Sequence, residues 1–383
     1  MKIVHVVPAL TKGGAEKVLV DLANHMAGQG HEVAIVAAFP VDRALLADQI
    51  DPKVELLLIA DRPSKLRAYG GLPFWLLKHR KWLMSRDVVH CHLTYAALFG
   101  SALRILRGLS RKGGPRIVET FHGVGMPIKG WQRRLSASLA KRRDGFALMA
   151  EDDYWAAFAA RNSRLPVAII PNGIPTGLPA PSAAAVEAYR AEAGIPAGAK
   201  VIGTVGRLRA ERNPIAMVAA FAAAAKVVPE DTRFLIAGDG PMTEAVREEG
   251  DRVGLGERLL LPGLALKPLV TIAAIDVYLS INVGPITGIA GLEAAAAGKP
   301  VIALQALPEH QLTEADWIWS SADPEKVGAE AARLLANPAE AAALGERQRA
   351  HVEARHSVGA MAKAYEELYA RAGAKTGSAD AGE

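Results

Sequence analysis

Cysteine is nearly absent: Cys91 is the single one among 383 residues. One thiol excludes an intramolecular disulfide and any metal site built on clustered cysteines. It also fits a reducing compartment. Aromatic residues are scarce, at 5%. No apolar run of about 18 residues is free of charges or breakers, so no transmembrane helix is expected. The opening stretch Met1–Pro8 is too short and too soon broken for the apolar core of a signal peptide. It reads instead as a buried strand. No repeat of 20 to 50 residues is evident.

What is present is a chain that is half hydrophobic and 22% charged, with a net charge of +5. Its length suits two domains of about 150 residues each. The charge is divided. Over residues 1–175, 25 Lys and Arg face 14 Asp and Glu, a surplus of +11; over 176–383, 20 face 26, which is −6. A basic half joined to an acidic half suggests different partners for each.

Short apolar runs alternate with helical stripes. Strands are predicted at 3–7, 32–38, 54–59, 87–91, 116–120, 145–149 and 167–170. A Pro- and Gly-rich linker, 171–181, precedes a second series at 201–205, 233–237, 259–261, 276–279 and 300–303. Helices are expected between these strands, and further ones near 323–336 and 338–354. This βα repetition predicts an α/β protein, with two tandem doubly wound parallel sheets covered by helices. Ligands of such domains bind at strand C-termini, and the natural crevice lies between the two domains.

Five loops are chemical candidates. Lys12-Gly13-Gly14-Ala15-Glu16 opens the first helix, where backbone N–H groups attract anions; a ligand-free turn is the alternative. It is not G-x-G-x-x-G, so a nicotinamide dinucleotide gains little support. His122-Gly123 follows a strand, where a histidine faces the crevice or is merely structural. His90 and His92 share a strand face. Zinc is the sharp reading there, but no third ligand is evident, so packing and hydrogen bonding are favoured. Gly206–Pro214 sets Arg207 and Arg212 beside a helix that Asn213 caps and Pro214 begins. Guanidinium groups in that position suit a diphosphate; the alternative is surface arginines paired with acids such as Glu211. Gly238-Asp239-Gly240-Pro241 is a glycine turn before a helix. Gly288–Ala295 opens a small-residue helix, with Glu293 one turn in and placed to accept hydrogen bonds from a ribose diol.

Together these segments resemble the GT-B glycosyltransferases, in particular the retaining family 4. The residues that carry the resemblance are Gly13-Gly14, Asp87–His92, Thr120-Phe121-His122, Pro171–Ile174, Gly206-Arg207-Leu208, Gly238–Pro241, Pro262-Gly263, Leu292-Glu293-Ala294 and Gly298–Val301. Their order runs through nearly the whole chain. The resemblance implies an acceptor-side domain over 1–175 and a nucleotide-sugar domain over 176–355. A helix over 356–373 would cross back to the first domain, and the tail 374–383 is expected to be disordered. It implies that Arg207 and Arg212 hold the donor diphosphate, that Glu293 binds the ribose, and that His122 faces the transferred sugar. Gly13 and Gly14 would approach the phosphate or acceptor, with Gly240, Thr287 and Gly288 on the donor side. It further implies retaining transfer of a hexosyl group from a nucleotide diphospho-sugar, with UDP as the expected nucleotide. The acceptor would be a glycan or lipid-linked sugar in bacterial surface polysaccharide or lipopolysaccharide synthesis.

No cofactor or metal is expected, since arginines and helix dipoles would stabilise the leaving group. The nearest approach to a D-x-D motif, Glu151-Asp152-Asp153, reads as acids in a helix's first turn. Two departures stand out: Pro285 replaces the first glutamate of the family's E-x7-E segment, and Arg212 stands where lysine is usual. Pro285 motivates a second reading, a GT-B scaffold or binding protein with weak or no transfer. A sugar-nucleotide epimerase is a third, and it predicts donor turnover without acceptor.

Residues 62–86 carry seven Lys or Arg and no acid, interleaved with Tyr69, Phe74, Trp75 and Trp82. Residues 129–143 add six more, again without acid, with Trp131 nearby. Basic helices with apolar faces suit an anionic membrane surface; aromatics packed on the sheet with solvated charges are the alternative. The aromatics form no recognisable nucleic-acid module. The expected location is the cytoplasm, peripheral on the inner face of the membrane.

Overall fold

The computed structural model describes residues 1–10, 13–39, 49–62, 64–110, 113–122, 129–282, 287–305 and 317–373. Lys12, Gly123, Gly284, Pro285, Ile286 and the tail 374–383 lie outside the described residues. The chain divides into two compact units, Met1–Gly173 with Val358–Glu383, and Ile174–Ser357.

The first unit holds strands β1 (Lys2–Val7), β2 (Glu32–Ala37), β3 (Glu55–Leu58), β4 (Val88–His92), β5 (Arg116–Phe121), β6 (Gly145–Leu148) and β7 (Val167–Ile169). Its helices are α1 (Gly14–Gly28), α2 (Lys65–Lys78), α3 (Arg80–Met84), α4 (Leu93–Gly108), α5 (Gly130–Ala140) and α6 (Asp153–Arg161). The second unit holds α7 (Ala183–Glu192), β8 (Val201–Val205), α8 (Pro214–Ala225), β9 (Arg233–Ala237), α9 (Thr243–Arg252), β10 (Leu259–Leu260) and α10 (Pro268–Ala273). It continues with β11 (Val277–Asn282), α11 (Ile289–Ala296), β12 (Val301–Gln305), β13 (Ser320–Ser321), α12 (Pro324–Ala336) and α13 (Pro338–Arg355). The last helix, α14 (Val358–Gly373), packs on α1, β5 and β6 of the first unit.

Both sheets are parallel. Their strand orders are β3-β2-β1-β4-β5-β6-β7 and β10-β9-β8-β11-β12-β13. The order therefore reverses between β1 and β4, and again between β8 and β11. The predicted strands agree with the observed ones to within a few residues. Only β13 was unexpected, because two serines carry no apolar signal.

The strands are apolar on both sides, and the side-chain period of two sorts them into layers. In the second sheet, Ile202, Phe234, Leu279 and Ile302 pack with Met217 and Phe221 of α8 and Val327 of α12. Val201, Leu235, Tyr278 and Val301 face the other way, towards Leu292 of α11 and Val352 of α13. Each such buried side chain contributes about 1.5–3 kcal/mol. In the first sheet, Val4, Val36, Val89 and Ile117 share a layer with Trp75, Leu83 and Phe99.

The packing corrects part of the basic-surface expectation. Arg143 is buried: its Nε lies 2.7 Å from Glu119 Oε2, and its Nη2 donates to the Ala97 carbonyl at 2.7 Å. Burial raises the Glu119 carboxyl above its ordinary value, opposed by the adjacent guanidinium. Arg86 is likewise engaged, paired with Glu32 and lying over the Trp82 ring. Neither cation is available to a surface partner. Trp75, Leu72, Leu76 and Leu83 also pack on the sheet, whereas Leu66, Phe74 and Leu77 do not.

Candidate functional site

The second unit has a pocket at its strand-order reversal. It is lined by Thr204 and Val205 of β8, Gly206, Arg207, Leu208 and Arg212 of the following loop, and Pro214 of α8. Ile236 of β9, Tyr278, Ser280 and Ile281 of β11 and Gly288, Ala290 and Gly291 at the start of α11 complete it. This is where open parallel sheets place ligands, because two adjacent loops diverge there.

The arginine loop is built by its neighbour. Leu208 N–H donates to the Asp239 carbonyl at 3.1 Å, and Met242 N–H to the Leu208 carbonyl at 3.1 Å. A Cβ on Gly238 would overlap the Gly206 carbonyl, and one on Gly240 the Leu208 carbonyl. The two glycines of Gly238-Asp239-Gly240 thus allow backbone to lie on backbone beneath Arg207 and Arg212. Gly240, expected on the donor side, does not line the pocket and supports that loop instead. Asn213 takes the left-handed backbone (φ 45°) and its side chain accepts from Ala216 N–H at 3.3 Å, so it caps α8 as expected, with Pro214 in the first turn.

A Cβ on Gly206 would make only an ordinary 3.7 Å contact with Arg212 Nη1, which places this guanidinium against the Gly206 turn. Glu211, the proposed pairing partner, lies 3.7 Å from Arg209 and also acts on Arg212, against the effect of burial. Burial holds Arg212 below its ordinary value, and Arg207 adds like-charge repulsion. Two partly buried cations close enough to repel are poised for an anion of at least double charge. Gly288 caps α11 without a side chain, so no side chain of the cap takes up the first-turn N–H groups there.

Tyr278 ties the floor together. Its hydroxyl accepts from Val205 N–H at 3.1 Å and donates to the Val205 carbonyl at 3.2 Å. Burial pushes its pKa up to about 12, with Glu293 raising it and Arg212 opposing. Glu293 and Arg212 therefore both act on this one ring. Asn282 Nδ2 and Thr287 Oγ1 are buried at the end of β11 and start of α11 with no hydrogen-bond partner. Such orphans mark a place where a polar ligand brings missing partners. Pro285 falls between them, outside the described residues.

The first unit gathers the remaining candidates. Gly13 caps α1 with ordinary extended backbone, and the Glu16 carboxylate occupies the space where a Gly13 Cβ would project. The entrance to α1 already has an acid beside it. His122 does not stand alone. His5, His90 and His92 are fully or almost fully buried, and one ring nitrogen of each lies within 4.8 Å of the others. The sequence reading missed His5, the third member, because it enters through strand register: His5 pairs with His90 across β1 and β4. It also missed Tyr278, Ser280 and Asn282. Polar residues at alternate positions of one buried strand were the available signal.

Three comparisons extend these observations. A family model for glycosyltransferase family 4 matches residues 12–178, and one for glycosyl transferases group 1 matches 199–337. The chain is 26% identical over 260 residues to an Escherichia coli UDP-Gal:alpha-D-GlcNAc-diphosphoundecaprenol alpha-1,3-galactosyltransferase, covering 64% of this chain and 62% of that protein. It is 28% identical over 336 residues to a D-inositol 3-phosphate glycosyltransferase of Segniliparus rotundus, covering 82% and 72%. The fold is similar to that of Anabaena HepE in complex with UDP and glucose, with a TM-score of 0.77 at 18% identity over 97% of this chain and 99% of that one. With both halves matched in order by the two family models, and two parallel α/β units, the chain belongs to the group 1, family 4 glycosyltransferases of the GT-B fold.

Proposed function

We propose that the protein is a retaining glycosyltransferase that moves a hexosyl group from a UDP-linked sugar to a glycan or lipid-linked acceptor in surface polysaccharide or lipopolysaccharide synthesis. The observation that carries this reading is the pocket where Arg207, Arg212 and the start of α11 converge. A diphosphate there accepts charge-assisted hydrogen bonds, and these strengthen as negative charge grows on the leaving group. Glu293 takes the ribose hydroxyls, Thr287 and Gly288 the phosphate side, and His122 and the Gly13-Gly14 backbone the sugar or acceptor. The cations of the protein replace a metal in this scheme, and no side chain is assigned as general base. The E. coli relative's UDP-galactose donor and the UDP bound in HepE support the choice of nucleotide.

Calorimetry with UDP, GDP and ADP tests the site: UDP should bind most tightly, and Arg212→Ala should weaken its binding. Transfer from UDP-hexoses to polyprenyl diphosphate-linked sugars should yield a product with the donor's anomeric configuration, and an inverted product would sink the mechanism. Tight nucleotide binding without transfer would favour the scaffold reading that Pro285 motivates, and donor turnover without acceptor the epimerase.

We further infer an anionic membrane surface as the partner of α2 and α5, with no role for nucleic acid. Leu66, Phe74 and Leu77 of α2 are 84%, 77% and 63% exposed, amid exposed Arg67, Lys78, Arg80 and Lys81. Trp131 of α5 is 62% exposed beside Lys129 and Arg134. No described helix is long and apolar enough to cross a membrane. Co-sedimentation with vesicles should require anionic lipid and weaken in Phe74→Ser/Leu77→Ser. Equal sedimentation with neutral vesicles would remove the electrostatic part.

A further inference from the structure

The buried histidines of the first unit form a line with direction. His5 Nδ1 lies 3.2 Å from His92 Nε2, and His92 Nδ1 lies 3.3 Å from His122 Nε2. His90 stands beside this line rather than in it. Its Nδ1 is 2.8 Å from the Tyr369 hydroxyl and its Nε2 2.7 Å from Thr120 Oγ1, which Tyr365 also meets at 3.0 Å. With both nitrogens engaged, His90 presses against the His92 ring at a centroid distance of 3.9 Å and restricts its tilt. Directly after His92 the backbone of Leu93 takes the left-handed region (φ 66°), which a leucine rarely adopts. Strain of this kind persists where the surroundings hold a neighbour in place.

A neutral imidazole has one N–H and one lone pair, and a bond between two such rings needs one of each. Burial keeps all these rings neutral, with His5 and His122 lowered to about 4. Both links can then be satisfied in only two ways: each ring donates towards His122, or each donates towards His5. The free ends are His5 Nε2 and His122 Nδ1, both buried and without a hydrogen-bond partner. If the line ran towards His5, its orphaned N–H would be sealed in the core, a rare arrangement. If it runs towards His122, the N–H is buried too, but on a residue that is only half-buried as a whole and stands just past the end of β5, where a bound molecule can supply the missing acceptor.

We propose that His92, braced by His5, is a positioning residue that fixes His122 in the Nδ1–H tautomer, so that His122 presents one N–H donor to an oxygen of the bound sugar or phosphate. The use of that donor rests on the proposed role of His122 at the ligand; the tautomer does not.

Long-range proton–nitrogen NMR of the full chain with 15N-labelled histidine reads each tautomer directly. His122 should appear as a single Nδ1–H form between pH 6 and 8. His92→Phe should release it to a mixture with the Nε2–H form. His5→Leu, which leaves the His92–His122 contact in place, should cause a smaller shift in the same direction and covers the case where His92→Phe does not fold. An Nε2–H form in the wild type, or an unchanged tautomer in both variants, would overturn the proposal. So would stoichiometric Zn²⁺ binding that erases these signals, since the cluster would then be a metal site. In transfer assays, His92→Phe should lower kcat with little change in donor KM and add nothing to His122→Ala. Normal turnover by His122→Ala with the tautomer intact would remove the role at the ligand and leave the line itself standing.

Discussion

The two sheets share one topology and solve opposite electrostatic problems. At the reversal between β8 and β11 stand two partly buried cations, Arg207 and Arg212. At the reversal between β1 and β4 stand histidines that burial keeps neutral. A parallel sheet delivers side chains to the same place in both units, and residue type decides what chemistry is delivered. The acidic half holds local positive charge, and the basic half holds neutral hydrogen bonding at the equivalent strand ends.

The largest effect should come from a charge in the first unit that has a structural role. Arg143→Ala leaves Glu119 buried and uncompensated, which should cost about 3–5 kcal/mol of unfolding free energy. Replacing both, as Arg143→Met with Glu119→Leu, should recover most of it. Urea unfolding checks this, and a loss below about 1 kcal/mol would mean that water reaches the pair. Arg212→Ala makes the contrast in the second unit: stability should change little, while kcat falls about 10²–10³-fold, or roughly 3–4 kcal/mol. If Arg212→Ala unfolds the protein and Arg143→Ala does not, the division between structural and functional cations is reversed.

Gly238→Ala separates the loop from the charge it carries. The added methyl group meets the Gly206 carbonyl, which is backbone and cannot swing away. Overpacking of this kind costs about 1–3 kcal/mol. The arginine loop must also shift, so UDP affinity should fall although no charge is removed. Wild-type affinity would show that the loop is positioned by something other than the Gly238–Gly240 turn.

Strands and caps were legible because their causes are local. Apolar runs give β1 to β12, and Asn213-Pro214 announces the start of α8. Three features were not, and each depends on what lies opposite. Arg143 follows Lys141 and Arg142 and looks like a third surface charge until Glu119, across the sheet, turns it inwards. Gly240 reads as a ligand loop until the Leu208 carbonyl is placed against it. His5 lies 87 residues from His92 and reaches it only through the β1–β4 register.

The histidine line also has a thermodynamic consequence. An unfolded histidine protonates near 6.5, while burial holds His5 and His122 at about 4 in the folded chain. Between these values the unfolded chain binds protons that the folded chain refuses, so stability is present above pH 6.5 and is lost as pH falls towards 4. Each such histidine contributes a slope of at most about 1.4 kcal/mol per pH unit. His5→Gln keeps a polar partner near His92 and removes one titrating group, so it should flatten the acid slope by about one proton. Unfolding free energies at pH 4.5, 5.5 and 6.5 measure it, and the arginine pocket predicts no comparable term because its cations stay charged throughout. An unchanged slope in His5→Gln would mean that this ring accepts a proton in the folded state, and a line of neutral imidazoles could not then run through it.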